Sequence, residues 1–165
     1  MKNLSPILSL IVLFVSCSQP SKPPVDVEAA KKEVSALMDQ YHASMVSNDV
    51  AAQMNLLTDD GIFCGTDPGE VWSKQILTEY MTKAFSDTAM VIKPYTIDKR
   101  EIKIDDDGQC AFILDQFTLE VISSTIPIRL TAHAVKQNEK WLIDFFSLAL
   151  IPKNQDLRNL NASLK

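Results

Sequence analysis

Six polar side chains stand within stretches that otherwise alternate in hydrophobicity: Asp115, Gln116, Arg129, Thr131, His133 and Asp144. A polar group on the inward face of a strand costs free energy unless it is paired or used, so chemistry would be built from these residues. A carboxylate or imidazole in a mostly apolar pocket can serve as a general base near neutral pH, and a guanidinium beside it can stabilise a developing oxyanion. His133 or Asp115 is then the candidate base, with Asp115 orienting His133 and Arg129 as the oxyanion partner. Arg129, Thr131 and His133 share one face of their strand, because alternate side chains point the same way, and Ile126, Ile128, Leu130, Ala132 and Ala134 share the other. Either the polar face lines a pocket, or the apolar face packs on helices and the polar face meets solvent or a second copy of the chain.

Other chemistries find little footing. No Ser-His-Asp arrangement or phosphate loop is visible. Cys64 and Cys110 lie far apart in apolar, strand-like runs, and with just two His in the chain they make a poor zinc site. They are expected as two buried free thiols. The run Asp105-Asp106-Asp107-Gly108 lacks the alternating ligands and distant Glu of a calcium loop and is expected as a solvated turn. No metal and no cofactor is therefore expected. A net charge of −5 with scattered basic residues argues against nucleic acid as a partner.

The elements that must position these residues begin after an N-terminal segment of another kind. Lys2, the apolar stretch Ile7 to Val15, and Ser16 before Cys17 form the three parts of an export signal over residues 1–16. That stretch is too short to span a bilayer, which takes roughly 20 apolar residues, and nothing after Val15 approaches that length. The run Leu13-Phe14-Val15-Ser16-Cys17 resembles a bacterial lipobox. The resemblance implies that Cys17 is acylated and anchors the mature chain to a membrane, making it an exported, extracytoplasmic lipoprotein of the cell envelope. Residues 17–26, with Pro20, Pro23 and Pro24 among Ser, Gln and Lys, cannot bury a core and are expected as an extended tether. A domain is expected over 27–152 and a C-terminal tail over 153–165.

Within the domain, Val27, Ala30, Val34, Leu37, Met38, Tyr41 and Met45 recur at three- and four-residue steps and predict a helix over 27–46. Asn48-Asp49 caps a short second helix over 51–57, the stretch Thr58-Asp59-Asp60-Gly61 is expected to turn, and Ile62-Phe63-Cys64 to form a strand. Ser73 caps a third helix carrying Leu77, Tyr80, Met81, Ala84 and Phe85 on one face. Four strand-like stretches follow: 90–104, with Pro94 implying an edge or a bulge, then 109–121, 125–137 and 141–151. A two-residue turn at Asn138-Glu139 pairs Lys136 with Trp141, and Arg129 is then expected opposite Asp144 unless a bulge intervenes. Helices followed by a meander of strands imply an α+β fold, with three N-terminal helices closing a cone-shaped, curved antiparallel sheet.

The segment from Leu56 to Lys74 carries Gly65-Thr66-Asp67-Pro68-Gly69-Glu70, an apolar Val71 and then Trp72. It resembles a signature of SnoaL-like domains in the nuclear-transport-factor-2-like superfamily. Arg129-Leu130-Thr131 and Trp141-Leu142-Ile143 extend the resemblance, which runs from about Glu28 to Pro152. Gly65 and Gly69 let this loop turn, and Asp67 and Glu70 are expected to fix it rather than catalyse. The resemblance implies that Trp72 lies near a pocket mouth and that Arg129 and Thr131 face inward. It also implies that Ser147 stands where many relatives keep a His.

Two functions are expected in competition. The first is a tethered module binding a small apolar or acidic ligand without catalysis. Phe112, Leu114, Phe117, Phe145 and Trp72 would line its cavity, with Arg129, Thr131, Gln116 and Ser147 as polar contacts. The second is a metal-free lyase or isomerase of the polyketide-cyclase or dehydratase type, with His133 or Asp115 as base. Homodimerisation through the open sheet face is a further expectation.

Overall fold

The expected first helix, α1, spans Val27–Val46, and its apolar stripe is buried from Ala30 to Met45. Asp26 caps it by accepting a hydrogen bond from the Ala29 amide at 3.0 Å. The computed structural model describes residues 24–86 and 90–163. The export signal, Cys17 and most of the tether lie outside the described residues. Asn48, at φ +54°, breaks the helix. Asp49 then caps α2, Val50–Met54, by accepting from Ala52 at 2.9 Å.

Strand β1 runs over Leu57–Cys64, so the expected turn at Thr58–Gly61 is a correction: these residues form an irregular part of the strand. Between the Leu57–Ile143 and Ile62–Phe145 pairs, β1 advances five residues against two on its neighbour, a wide bulge that absorbs the polar sequence. Gly61 is needed there, because a Cβ would come within 2.7 Å of the Asp144 carbonyl oxygen. The loop from Gly65 returns through β2, Val71–Trp72, which pairs antiparallel with β1. Helix α3, Lys74–Ser86, follows. Among the described residues two helices, not three, therefore precede the sheet, because α3 follows the β1–β2 hairpin in the chain.

The remaining strands are β3 over Ile97–Ile104, β4 over Cys110–Phe117, β5 over Ile128–Gln137 and β6 over Lys140–Leu150. The stretch around Pro94 lies ahead of β3, and β3 is an edge of the sheet. Gly108, at φ +70°, turns the β3–β4 connection, while Asn138 and Glu139, at +49° and +62°, make the two-residue turn between β5 and β6. The six strands lie in the order β2-β1-β6-β5-β4-β3. The sheet is mixed rather than wholly antiparallel, since β1 runs parallel to β6. It is open, with distinct edge strands. The tail is not featureless: a 3-10 turn at Asn154–Asp156 leads into α4, Leu157–Ser163.

Lys136 pairs with Trp141 as expected, but Arg129 pairs with Ala149, not Asp144. Counting along antiparallel strands from the turn already carries Arg129 well past Asp144. A one-residue bulge then adds to the shift, with Ala134 opposite Ile143 and His133 opposite Phe145. Asp144 is the extra residue.

Helix α1 packs on β3 and β6 and α3 on β1, all on one face of the sheet. The core lies between, built on Val34, Met38, Phe63, Phe117, Ile128 and Ile143. At about 25 cal/mol per Å² of apolar surface, burial of such side chains contributes about 1.5–3 kcal/mol each.

Candidate functional site

The strand periodicity sorts the candidate residues onto two faces. Along β5, Ile128, Leu130, Ala132 and Ala134 are buried against the helices, while Arg129 and Thr131 are exposed and His133 is half-buried on the opposite face. Along β4, Ala111, Ile113, Asp115 and Phe117 are buried, and Phe112, Leu114 and Gln116 point the other way. Of the expected cavity lining, Phe112 is therefore 58% exposed and Phe145 37% exposed. Neither can line an interior pocket, and Arg129 does not face inward. The physical reason is parity: Phe117 and Asp115 are an odd number of residues from Phe112 and Leu114.

Asp115 is fully buried and makes three charge-assisted hydrogen bonds. Arg100 Nε donates to Oδ1 at 2.7 Å and a terminal nitrogen donates to Oδ2 at 2.8 Å, a bidentate pair. His42 Nε2 lies 2.9 Å from Oδ2. The ionised carboxylate only accepts, so Nε2 carries the proton. On its other side, Nδ1 meets the Tyr95 hydroxyl at 2.8 Å. Arg100 also donates to the Ser35 carbonyl at 3.1 Å and to Asp39 at 2.6 Å, which ties β3 and β4 to α1.

Burial alone would raise the Asp115 pKa, but the hydrogen bonds from His42 and Arg100 and the Arg100 charge hold it below the ordinary carboxylate value. Burial raises the Tyr95 hydroxyl, and the Asp115 charge raises it further. A carboxylate held ionised, fully buried and already accepting three hydrogen bonds is poorly suited to taking a proton from a substrate. His42 packs edge-on against Phe117, with ring centroids 5.1 Å apart, which closes the cluster off within the core.

His133 belongs to a separate pair on the outer face. Its Nδ1 lies 2.7 Å from Asp144 Oδ1, and its ring packs on Phe112 with centroids 4.9 Å apart. The β6 bulge brings Asp144 to it. The expected His133–Asp115 partnership does not form, since the two side chains leave opposite faces of the sheet. Gln116 accepts a long hydrogen bond from Arg129 at 3.5 Å. Ser147 lies opposite Thr131 and next to Cys64, also on the outer face. Its identity therefore does not bear on the interior, where β6 contributes Phe146 and Leu148 instead.

Cys64 and Cys110 are free and half-buried rather than buried. They lie on β1 and β4, three strand positions apart and four residues offset along the strand, hence about 20 Å, too far to bridge. Burial, with Asp105 and Asp107 beside it, raises the Cys110 thiol pKa.

Trp72 does reach a cavity. A space of about 160 Å³ opens between α1, α3 and β6, with walls that include Met45, Leu77, Phe85, Phe146 and Leu148. Trp72 stacks on Tyr80 at its mouth, with centroids 4.7 Å apart. The Tyr80 hydroxyl donates to Glu70 at 3.4 Å, and the other Glu70 oxygen accepts from the Asp67 amide at 3.1 Å. Burial, then the Glu70 charge, raises the Tyr80 pKa. Asp67 accepts from Gly69 at 2.8 Å, so the loop is held by its own acidic residues. Gly65 leaves room for Glu70 and Trp72.

Deeper in the cavity are Tyr41 and Gln53. Burial raises the Tyr41 hydroxyl pKa against a Gln53 side-chain hydrogen bond that lowers it. Larger depressions of about 490 and 810 Å³ occur elsewhere. They are surface grooves bordered by exposed groups such as Lys93, Glu120 and Lys153, whereas the smaller cavity has the apolar walls and few polar groups of a small-molecule site.

The architecture is thus a two-layer α+β fold, an open, mixed six-stranded sheet with helices on one face and an apolar cavity between them. The chain belongs to the SnoaL-like domain family, whose model matches residues 34–148. Such membership suggests a ligand-binding or isomerase-like domain.

Solved structures share the fold at low identity. A domain of unknown function with a cystatin-like fold from Nostoc punctiforme is 11% identical, with a TM-score of 0.67, over 81% of this chain and 85% of that one. An NTF2-like protein of unknown function from Pseudomonas putida is 13% identical, with a TM-score of 0.64, over 78% and 91%. An NTF2-like protein from Cytophaga hutchinsonii is 16% identical, with a TM-score of 0.61, over 73% and 98%. No curated protein matches the chain.

Proposed function

We propose that the chain is an extracytoplasmic SnoaL-like domain, tethered through an acylated Cys17, that holds a small apolar ligand between α1, α3 and β6 without transforming it. The cavity carries this reading. Its walls are mostly apolar, its polar groups are few, and Trp72 and Tyr80 form its mouth. Its volume of about 160 Å³ is close to that of an engineered protein cavity of ~150 Å³ that takes up benzene.

An acidic ligand anchored by Arg129, Thr131, Gln116 or Ser147 does not suit this cavity, because all four side chains stand beyond the sheet from it. The competing reading is a metal-free lyase or isomerase that uses His133 or Asp115 with Arg129. It would need these groups around one substrate, whereas Asp115 is buried in the core and held by Arg100 and His42, and the other two are outside. The exposed Ile62, Phe112 and Phe145 support pairing of two copies through the outer sheet face. The signal-like N-terminus and Pro-rich tether support export to the cell envelope.

Toluene titrated into the Trp141→Phe variant should change Trp72 emission saturably, and Leu77→Phe, which fills the cavity, should abolish the change. Absence of any Trp72 response in the unfilled protein would sink the ligand reading. Mass spectrometry should find acyl chains on Cys17 at the mature N-terminus, and an unmodified chain beginning beyond Cys17 would end the anchor reading.

A further inference from the structure

Gln53 is a polar side chain buried in the wall of an apolar cavity, and its placement restricts what the cavity accepts. It projects from α2 and is 1% exposed. The side chain borders the ligand cavity and hydrogen-bonds the Tyr41 hydroxyl, while its Oε1, itself buried, has no hydrogen-bond partner among the described residues. A buried acceptor without a donor loses free energy that a ligand donor would restore. Such an atom therefore discriminates between ligands of equal shape, as sites built for a polar group reject analogues that lack it.

Charge narrows the choice further. Among the described residues that line the cavity, Glu70 is the charged one, and it stands at the mouth. An anionic ligand would meet this carboxylate and find no lining cation, in a chain whose net charge is already −5. A cation would have to shed its water among the apolar walls, which is costly without a paired charge deep inside.

Resting on the ligand reading above, we propose that the cavity selects a small neutral hydrogen-bond donor, a hydroxyl or amine N–H on an apolar body of about the size of phenol. Gln53 Oε1 is the recognising acceptor. The apolar body lies against Leu77, Phe85 and Phe146, and its donor group points toward α2.

Isothermal titration of the purified protein with phenol, toluene, benzaldehyde and benzoate tests this, because the first two share a shape and differ in the donor. Phenol should bind about five- to tenfold more tightly than toluene, benzaldehyde no better than toluene, and benzoate not measurably. Gln53→Leu should erase the preference for phenol while toluene still binds. Gln53→Met, which keeps the length of the side chain, provides the same comparison if the leucine variant does not fold. Equal binding of phenol and toluene by the unmodified protein would overturn the donor assignment and leave the cavity reading standing. Tighter binding of benzaldehyde than phenol would mean that the amide N–H faces the ligand, and tight binding of benzoate would refute the charge argument. If none of the four binds, toluene included, the cavity reading itself fails.

Discussion

Two His–Asp pairs stand on opposite faces of one sheet: His42 with Asp115 at 2.9 Å on the inner face, and His133 with Asp144 at 2.7 Å on the outer. Their contact distances are nearly equal and their surroundings are not. Asp115 is fully buried and bound by Arg100 as well as His42, whereas the side chains of His133 and Asp144 are 23% and 30% exposed. The inner pair therefore has to be complete, because a buried charge left unpaired costs several kcal/mol. The outer pair can be lost with little consequence, because water takes over for the missing partner. The comparison teaches that a His–Asp pair in this fold is not by itself a sign of catalysis. In the core it joins α1 to the sheet, and the cavity proposed to hold a ligand lies in a different place with different residues.

Removing the inner carboxylate should break the fold most severely. Asp115→Ala leaves Arg100 and His42 without their shared partner and should cost about 3–5 kcal/mol in urea unfolding, a large part of the 5–15 kcal/mol typical of a domain. The same carboxylate should appear in the pH dependence. Its folded pKa lies below its unfolded value of about 3.9, so its contribution is full above that value and is lost as pH falls through the lower, folded one. Urea midpoints measured from about pH 6 downward should fall on the acid side in the unmodified chain, and that part of the fall should be missing in Asp115→Asn.

His42→Leu, which leaves Asp115 its two bonds to Arg100, should cost less, about 1–2 kcal/mol. On the outer face, His133→Ala should change stability by no more than about 0.5–1 kcal/mol. A loss from His133→Ala comparable to that from Asp115→Ala would erase the contrast. Phe112→Ser should leave monomer stability nearly unchanged and weaken any self-association seen by sedimentation, since Phe112 is 58% exposed.

Much of this arrangement was legible in the sequence, and what was missed had physical causes. The stripe of α1, the cap of α2 at Asp49 and the two turns at Gly108 and Asn138-Glu139 follow from spacing and φ preference, and all formed. Asp115 stood out as a polar residue in a buried strand, and it is one. Its partners were readable too. His42 falls four residues after Met38 on the apolar stripe, and Arg100 shares parity with Ile102 and Ile104 on β3. The strand of His133, with Arg129, Thr131 and His133 at alternate positions, carries a stronger pattern of a site than either. Parity also excluded Phe112 and Leu114 from the side of Phe117.

The bulges were harder to foresee. The polar run Thr58–Gly61 reads as a turn, and only pairing with a distant strand keeps it in the sheet. Gln53 gave no signal beyond its place in a short helix, since its role depends on a cavity assembled from α1, α3 and β6. The Gly65–Trp72 signature located the mouth, because that loop is fixed by local bonds.

The most direct test of the account is a crystal of the protein exposed to xenon. Xenon should occupy the space between Leu77, Phe85 and Phe146, and filling that space with Leu77→Phe should remove it. Xenon found only on the outer face around Phe112 and Phe145, with the interior empty, would contradict the claim that this domain works as an internal ligand pocket.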